Sequence, residues 1–199
     1  MKTSIIYSNI YFYRLVMNLL YSAKYNQRFK DVFSRISDSD SSVLDLCFGD
    51  TYIAKKCREQ GKTWRGYDLN ESFVRNAVKK GFNAEVKDLL KLKELPNADV
   101  SIMAGSLYHF NDALDDVLLK MLNCAPKVII SEPIKNISAQ KGLPGKFAQI
   151  FTDAGKGSES FRFNEKSFIE MLDRYSDKYH FSYTVVSVDR DILVEIKND

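Results

Sequence analysis

From Ser42 onward the chain alternates short apolar runs with stretches of helical periodicity, and no other feature constrains the fold as much. Short apolar runs bounded by turn formers read as strands covered on both faces, and the helical stretches between them supply the crossovers that parallel strands need. "VLDL" (residues 43–46) is the first strand, followed by a helix over 52–60 that Gly61 ends. "WRGYD" is the second. The helix after it takes Asn70 as N-cap, turns Phe73 and Ala77 inward, and closes with Lys79, Lys80 and Gly81. "NAEV" and "ADVSIM" give the third and fourth strands. Asp112, Asp115 and Asp116 load the first turn of a helix whose inner stripe is Leu114, Val117, Leu118, Met121 and Leu122. "KVIIS" is the fifth strand. Residues 134–164 then break the rhythm with Gly142, Pro144, Gly145, Gly155 and Gly157, which reads as a long excursion on the sheet's carboxyl edge with a short helix around 147–151. A last helix spans 164–175, and "FSYTVVSV" and "ILVEI", separated by "DRD", form an antiparallel hairpin. The expected architecture is α/β, a Rossmann-like doubly wound seven-stranded sheet, mostly parallel with a C-terminal antiparallel hairpin strand. Its ligand should sit beyond the carboxyl ends of the strands.

With 199 residues, 45% hydrophobic and 28% charged, the chain suits one globular domain. A net charge of +3, with Lys and Arg dispersed, leaves no nucleic-acid footprint. Three scattered cysteines suit neither a disulfide framework nor paired zinc ligands, which points to a reducing, cytoplasmic setting and no metal site. In the apolar N-terminus, Asn9, Arg14 and Asn18 interrupt any run long enough for stable membrane insertion. Ile10, Tyr13, Met17 and Leu20 recur at helical spacing instead. The expected division is therefore a helical cap over residues 1–40 and the α/β domain over 41–199.

"DLCFGDT" alone is a weak signal, since a lone Gly after a strand is often only a turn. Its value comes from the acids spaced along the next strands. Asp45, Asp68 and Asp88 are read as acids at successive strand ends, with Asp68 ending the second strand and Asp88 the third. At the end of the second strand of nucleoside-binding α/β units a carboxylate accepts from the ribose hydroxyls. Each Asp by itself is equally a turn former or a loop anchor. The set, in step with successive strand ends, favours a ligand.

Together "VLDLCFGD", "GYDLNESFVRNAVKKG", "AEVKDLL", "ADVSIMAGSLYHF" and "KVIISEP" resemble the successive motifs of class I S-adenosylmethionine-dependent methyltransferases, over residues 42–133. The resemblance implies S-adenosylmethionine as cofactor. It sets Asp45, Cys47 and Gly49 against the methionine end, Asp68 with Leu69 at the ribose, Asp88 with Leu89 around the adenine, and the segment from Gly105 to His109 at the sulfonium and acceptor. The loop departs from the family's Gly-x-Gly-x-Gly, with Cys47, Gly49 and Thr51 at the three positions. Gly49 keeps the middle position, Cys47 is small, and Thr51 sits where a helix N-cap is useful. The chain is thus open to two roles: a methyltransferase of a small-molecule acceptor, and a non-catalytic methyltransferase-like binding domain.

Methyl transfer needs alignment more than acid–base machinery. His109, in "SLYHF", is either an acceptor base or a helix-start histidine. Glu132, in "SEP", either orients an acceptor or binds loop amides. Tyr7, Tyr11, Tyr13 and Tyr108 are candidates for an aromatic lid over the site, or packing residues.

Overall fold

A computed structural model describes residues 25–134 and 161–198. The expected helices around residues 10–20 and 147–151, and Tyr7, Tyr11 and Tyr13 of the expected lid, lie outside the described residues. The apolar runs become strands β1 (Ser42–Leu46), β2 (Thr63–Asp68), β3 (Asn83–Val86), β4 (Val100–Ala104), β5 (Lys127–Pro133), β6 (Phe181–Val188) and β7 (Asp191–Asn198). They form one sheet in the order β3-β2-β1-β4-β5-β7-β6. β1 to β5 pair in parallel, while β7 runs antiparallel between β5 and β6. The seven-stranded, mostly parallel sheet with a C-terminal antiparallel hairpin is as expected.

Helices α1 (Tyr25–Phe33), α2 (Tyr52–Glu59), α3 (Glu71–Lys79), α4 (Leu114–Cys124) and α5 (Glu165–Tyr179) cover the sheet. Phe29 and Val32 of α1, Ile53 of α2 and Phe73 of α3 share one core with Val43, Trp64 and Ile102. Val117 and Met121 of α4 and Phe168 and Leu172 of α5 share the other with Leu44, Leu46, Met103 and Ile130. Successive strand residues thus feed opposite layers, which is why the strands read as continuous apolar runs.

The boundaries have local causes. Asn70 caps α3 by accepting from the amides of Ser72 and Phe73, and Asn164 and Ser167 close a reciprocal capping box on α5. Three boundaries differ from expectation. α1 lies within the helical cap expected over residues 1–40, but it was not marked as a separate helix, because residues 25–33 carry only Phe29 and Val32 as fully buried apolar anchors. Asp112 belongs to a 3-10 segment (Leu107–Ala113), so only Asp115 and Asp116 load the first turn of α4. α5 runs on to Tyr179, ended by His180 in the left-handed region at φ 55°. No helix among the described residues is long and apolar enough to cross a membrane.

Candidate cofactor and acceptor site

The parallel order brings four loops to one edge of the sheet. They come after β1 (residues 47–51), β2 (69–70), β3 (87–91) and β4 (105–113). Glu132 lies near the end of β5 alongside them.

The first loop is held by hydrogen bonds to its neighbour. The Cys47 amide donates to the Tyr67 carbonyl at 2.7 Å, and the Gly49 amide donates to Asp68 Oδ2 at 2.9 Å. Asp68 Oδ1 accepts from the Asn70 amide at 2.8 Å. Burial pushes the Asp68 carboxyl up to about 6, opposed by these amides. The Leu69 amide is a third donor, and since two ionised carboxylate oxygens offer about four acceptor sites, room remains for about one hydroxyl donor. The side chain assigned to ribose is thus also the brace of the glycine loop.

Cys47 and Gly49 both lie in the left-handed region, each at φ 54°. For Gly49 this is why a glycine is kept. For Cys47 it is a strained conformation, and the sequence reading, which weighed only the residue's size, missed it. Burial and the surrounding Asp68, Asp45, Asp88 and Glu132 push the Cys47 thiol well up.

Asp45 occupies a different place from the one the resemblance suggests. It is 2% exposed and accepts from Trp64 Nε1 at 3.1 Å, on the face covered by α2 and α3. Trp64 reaches it by lying across Gly66, where any Cβ would run into the indole and come within 2.8 Å of Phe48 Cδ1. Phe48 packs edge-on against Trp64, with centroids 5.3 Å apart. This setting pushes the Asp45 carboxyl up to about 8, by burial first. Thr51 also departs from expectation: it holds the N-cap position of α2, but its hydroxyl accepts from Lys80 Nζ at 3.0 Å and caps no backbone donor.

Asp88 opens the 3-10 turn Leu89–Lys91, with Oδ1 accepting from the Leu90 amide at 3.2 Å. Leu89, expected beside the adenine, is buried in the core. The exposed apolar side chains on these loops are Leu69, at 49%, and Leu90, at 50%.

Beyond β4, Gly105 (φ 72°) donates its amide to the Ser131 carbonyl. A Cβ on Gly105 would lie 2.6 Å from an Arg28 guanidinium nitrogen, so a side chain there would displace the guanidinium as well as strain a backbone that glycine adopts freely. Arg28 Nε donates to Asp191 Oδ2 at 2.5 Å. Glu132 is fully buried and accepts from the Leu107 and Tyr108 amides at 3.0 and 3.3 Å. Burial pushes it up to about 8, opposed by these amides and by Arg28. Of its two expected roles, the geometry displays the binding of loop amides.

Tyr108 is buried rather than open as a lid. The Arg162 guanidinium carbon lies 3.7 Å from its ring centroid, and the partly buried His109 ring lies 3.9 Å away. Burial, and then the Arg162 charge, lower His109 to about 4, so its imidazole is neutral at pH 7. Arg162 was not singled out from the sequence, since it stands at the end of a stretch without period. The flanking aromatics in "FRF" were the available signal. Among the described residues no group of three or more His, Cys, Asp or Glu side chains is placed to hold a metal ion.

No protein-family model and no curated protein sequence matches the chain. Solved structures do. An O-methyltransferase family protein from Burkholderia thailandensis superposes with a TM-score of 0.65 at 18% identity, over 89% of this chain and 58% of that one. The plantazolicin methyltransferase BpumL, in complex with a triazolic desmethylPZN analog and SAH, gives a TM-score of 0.66 at 13% identity, over 92% and 91%. Human N-acetylserotonin methyltransferase, in complex with SAM, gives 0.64 at 15% identity, over 97% and 57%. The chain therefore spans under three fifths of the first and third of these proteins and nearly all of the second. Strand order, the antiparallel β7 and these superpositions agree that this chain has the fold of the class I S-adenosylmethionine-dependent methyltransferases.

Proposed function

We propose that the protein is a methyltransferase that uses S-adenosylmethionine to methylate a small-molecule acceptor. The observation that carries this reading is Asp68, whose carboxylate at the end of β2 accepts from Gly49 of the loop after β1 and from Asn70 of the loop after β2. The residues fit the cofactor chemically. Asp68 keeps acceptor capacity for a ribose hydroxyl, and Leu69 and Leu90 offer apolar surface for a purine. That the BpumL and human structures hold SAH and SAM supports the assignment.

The bound cofactor would supply an activated methyl group on sulfur, which leaves alignment as the protein's main task. Gly105 and the 3-10 segment after it form the wall beyond β4. Glu132 holds that wall by two amides, and Arg28 presses it from the α1 side. Oriented reactants account for up to roughly 7–11 kcal/mol of barrier in the best cases. His109, neutral at pH 7, accepts the acceptor's proton where there is one to lose. The modest net charge and the absence of a basic stripe in the sequence favour a small acceptor over nucleic acid.

Calorimetric titration with S-adenosylhomocysteine tests the reading. Micromolar or tighter binding, weakened at least tenfold in Asp68→Ala, is expected. No heat at millimolar ligand on a folded protein would instead support a non-catalytic binding domain on the same fold.

A further inference from the structure

Arg162 stands at the start of the described C-terminal part, and its surroundings display it rather than bury it in an ion pair. Phe161 packs edge-on against Phe163 with centroids 4.8 Å apart, and Phe163 packs edge-on against the fully buried Phe168 of α5 at 5.2 Å. These two aromatic anchors fix the backbone on either side of Arg162. Its guanidinium carbon sits over the Tyr108 ring, 3.7 Å from the centroid, and Nη1 donates to the Phe161 carbonyl at 2.8 Å. No ion pair joins Arg162 to a carboxylate among the described residues. Arg28, on the other side of the same loop, has Asp191 as its partner.

A guanidinium stacked on a ring exposes its N–H groups at the edge, in a planar fork that matches two oxygens of one anion. Among the described residues the Phe161 carbonyl takes one donor and no carboxylate takes the others. The same charge acts on His109, beside Tyr108, as a repulsion that disfavours proton uptake. A cation next to a base is a poor arrangement for proton transfer until an anion offsets it.

We propose that Arg162 recognises the acceptor, and that the acceptor is a small anion whose carboxylate or phosphate-type group binds at the Arg162 guanidinium beside His109. This rests on the methyltransferase reading and deepens it: the anionic group fixes the acceptor's orientation and restores the basicity of His109 in the same step. The charged groups facing this loop from other elements are Glu132 of β5, engaged by the Leu107 and Tyr108 amides, and Arg28 of α1.

The chain has two histidines, His109 and His180, so ring C–H resonances in proton NMR report on His109 directly once a His109→Gln spectrum assigns them. The probes are 4-hydroxybenzoate, phenyl phosphate and, as neutral control, 4-hydroxybenzamide, each titrated at pH 6.5 with S-adenosylhomocysteine present. Saturable shifts of the His109 signal with one or both anions, an upward move of its titration midpoint by about one pH unit, and no response to the amide are expected. The benzoate and phosphate arms decide between the two anion types. Arg162→Gln should weaken the anion response at least tenfold, and Arg162→Lys, which keeps charge but not the planar fork, should fall between. An amide response equal to that of the anions, an anion response that persists in Arg162→Gln, or silence toward both anions in folded wild-type protein would overturn the inference. Binding of S-adenosylhomocysteine is read separately in each variant. Its loss with the anion response intact strikes the cofactor reading, and the reverse pattern strikes the role of Arg162.

Discussion

Replacing Asp45 by Asn separates a buried support from a ligand contact. The carboxyl, ordinarily near 3.8, is pushed up to about 8, so at pH 7 it is neutral in the fold and ionised in the unfolded chain. At about 1.4 kcal/mol per pH unit, taking up that proton costs the folded state as much as roughly 4 kcal/mol at pH 7. Asn keeps an oxygen for Trp64 Nε1 and carries no such penalty. Linkage sets the sign. A group with a raised folded pKa favours the fold fully below about pH 3.8, and that contribution is lost as pH rises toward about 8. Asp45→Asn should therefore be more stable than wild type by about 2–4 kcal/mol at pH 7, with the gain shrinking toward zero near pH 4. Urea unfolding of both proteins at several pH values between 4 and 8 measures it, and the difference between them isolates Asp45 from Asp68 and Glu132. Because the carboxyl faces Trp64, binding of S-adenosylhomocysteine should change little. A stability difference independent of pH, or a variant weaker than wild type at pH 7, would refute the burial argument. A large loss of cofactor affinity with unchanged folding would put Asp45 back against the methionine end.

Two further outcomes test neighbouring parts of the site. Gly66→Ala sets a methyl group against the Trp64 indole and Phe48, so thermal unfolding should show a loss of about 1–3 kcal/mol, together with a weaker Trp64–Asp45 contact visible in tryptophan fluorescence. His109→Gln should lower kcat by roughly 10²–10⁴ with cofactor affinity nearly unchanged if the acceptor loses a proton. The wild-type kcat/KM profile should then be flat above about pH 5 with respect to this group and fall toward pH 4, because burial and Arg162 keep the free imidazole neutral until then.

The elements were legible because their causes are local and periodic. Asn70 stands where an N-cap belongs, Gly61 and Gly81 adopt φ of 69° and 74° where helices end, and the apolar runs of β1, β4 and β5 match burial from both faces. The bounds and docking of α1, inside the expected helical cap, were not legible, because its anchoring depends on what the sheet offers: Phe29 packs against Tyr52, and Arg28 finds Asp191, 163 residues away in the chain. The same distinction divides the site. Asp68 and Gly49 declare themselves by position after strands, but which way a carboxyl turns depends on the strand's face. Asp45 shares its register row with Gly66 and so meets an indole that fills the space glycine leaves. Leu89 and Leu90 differ by one residue on a 3-10 turn, which sends the first into the core and the second to solvent. Arg162 becomes visible only when a segment 53 residues beyond His109 folds back over Tyr108.

The cofactor loop gives up two glycines, and the structure shows what each loss entails. At Thr51 nothing demands glycine, because φ there is −87°, and the hydroxyl gains a tie to Lys80 of the next helix–strand connection. At Cys47 the backbone keeps the left-handed conformation that glycine would adopt freely, at a strain of order 1–3 kcal/mol. Such strain persists only where the surroundings over-determine it. Here they do: the Cys47 amide is bound to Tyr67 across the β1–β2 pair, Asp68 pins Gly49 two residues later, and the thiol packs against the core. A loop held this way is less free to rearrange than a triple-glycine loop, and its brace is the same carboxylate proposed to receive the ribose. On the proposed function, ligand binding and loop geometry draw on one residue, which makes Asp68 the position at which a change of either should be felt in both.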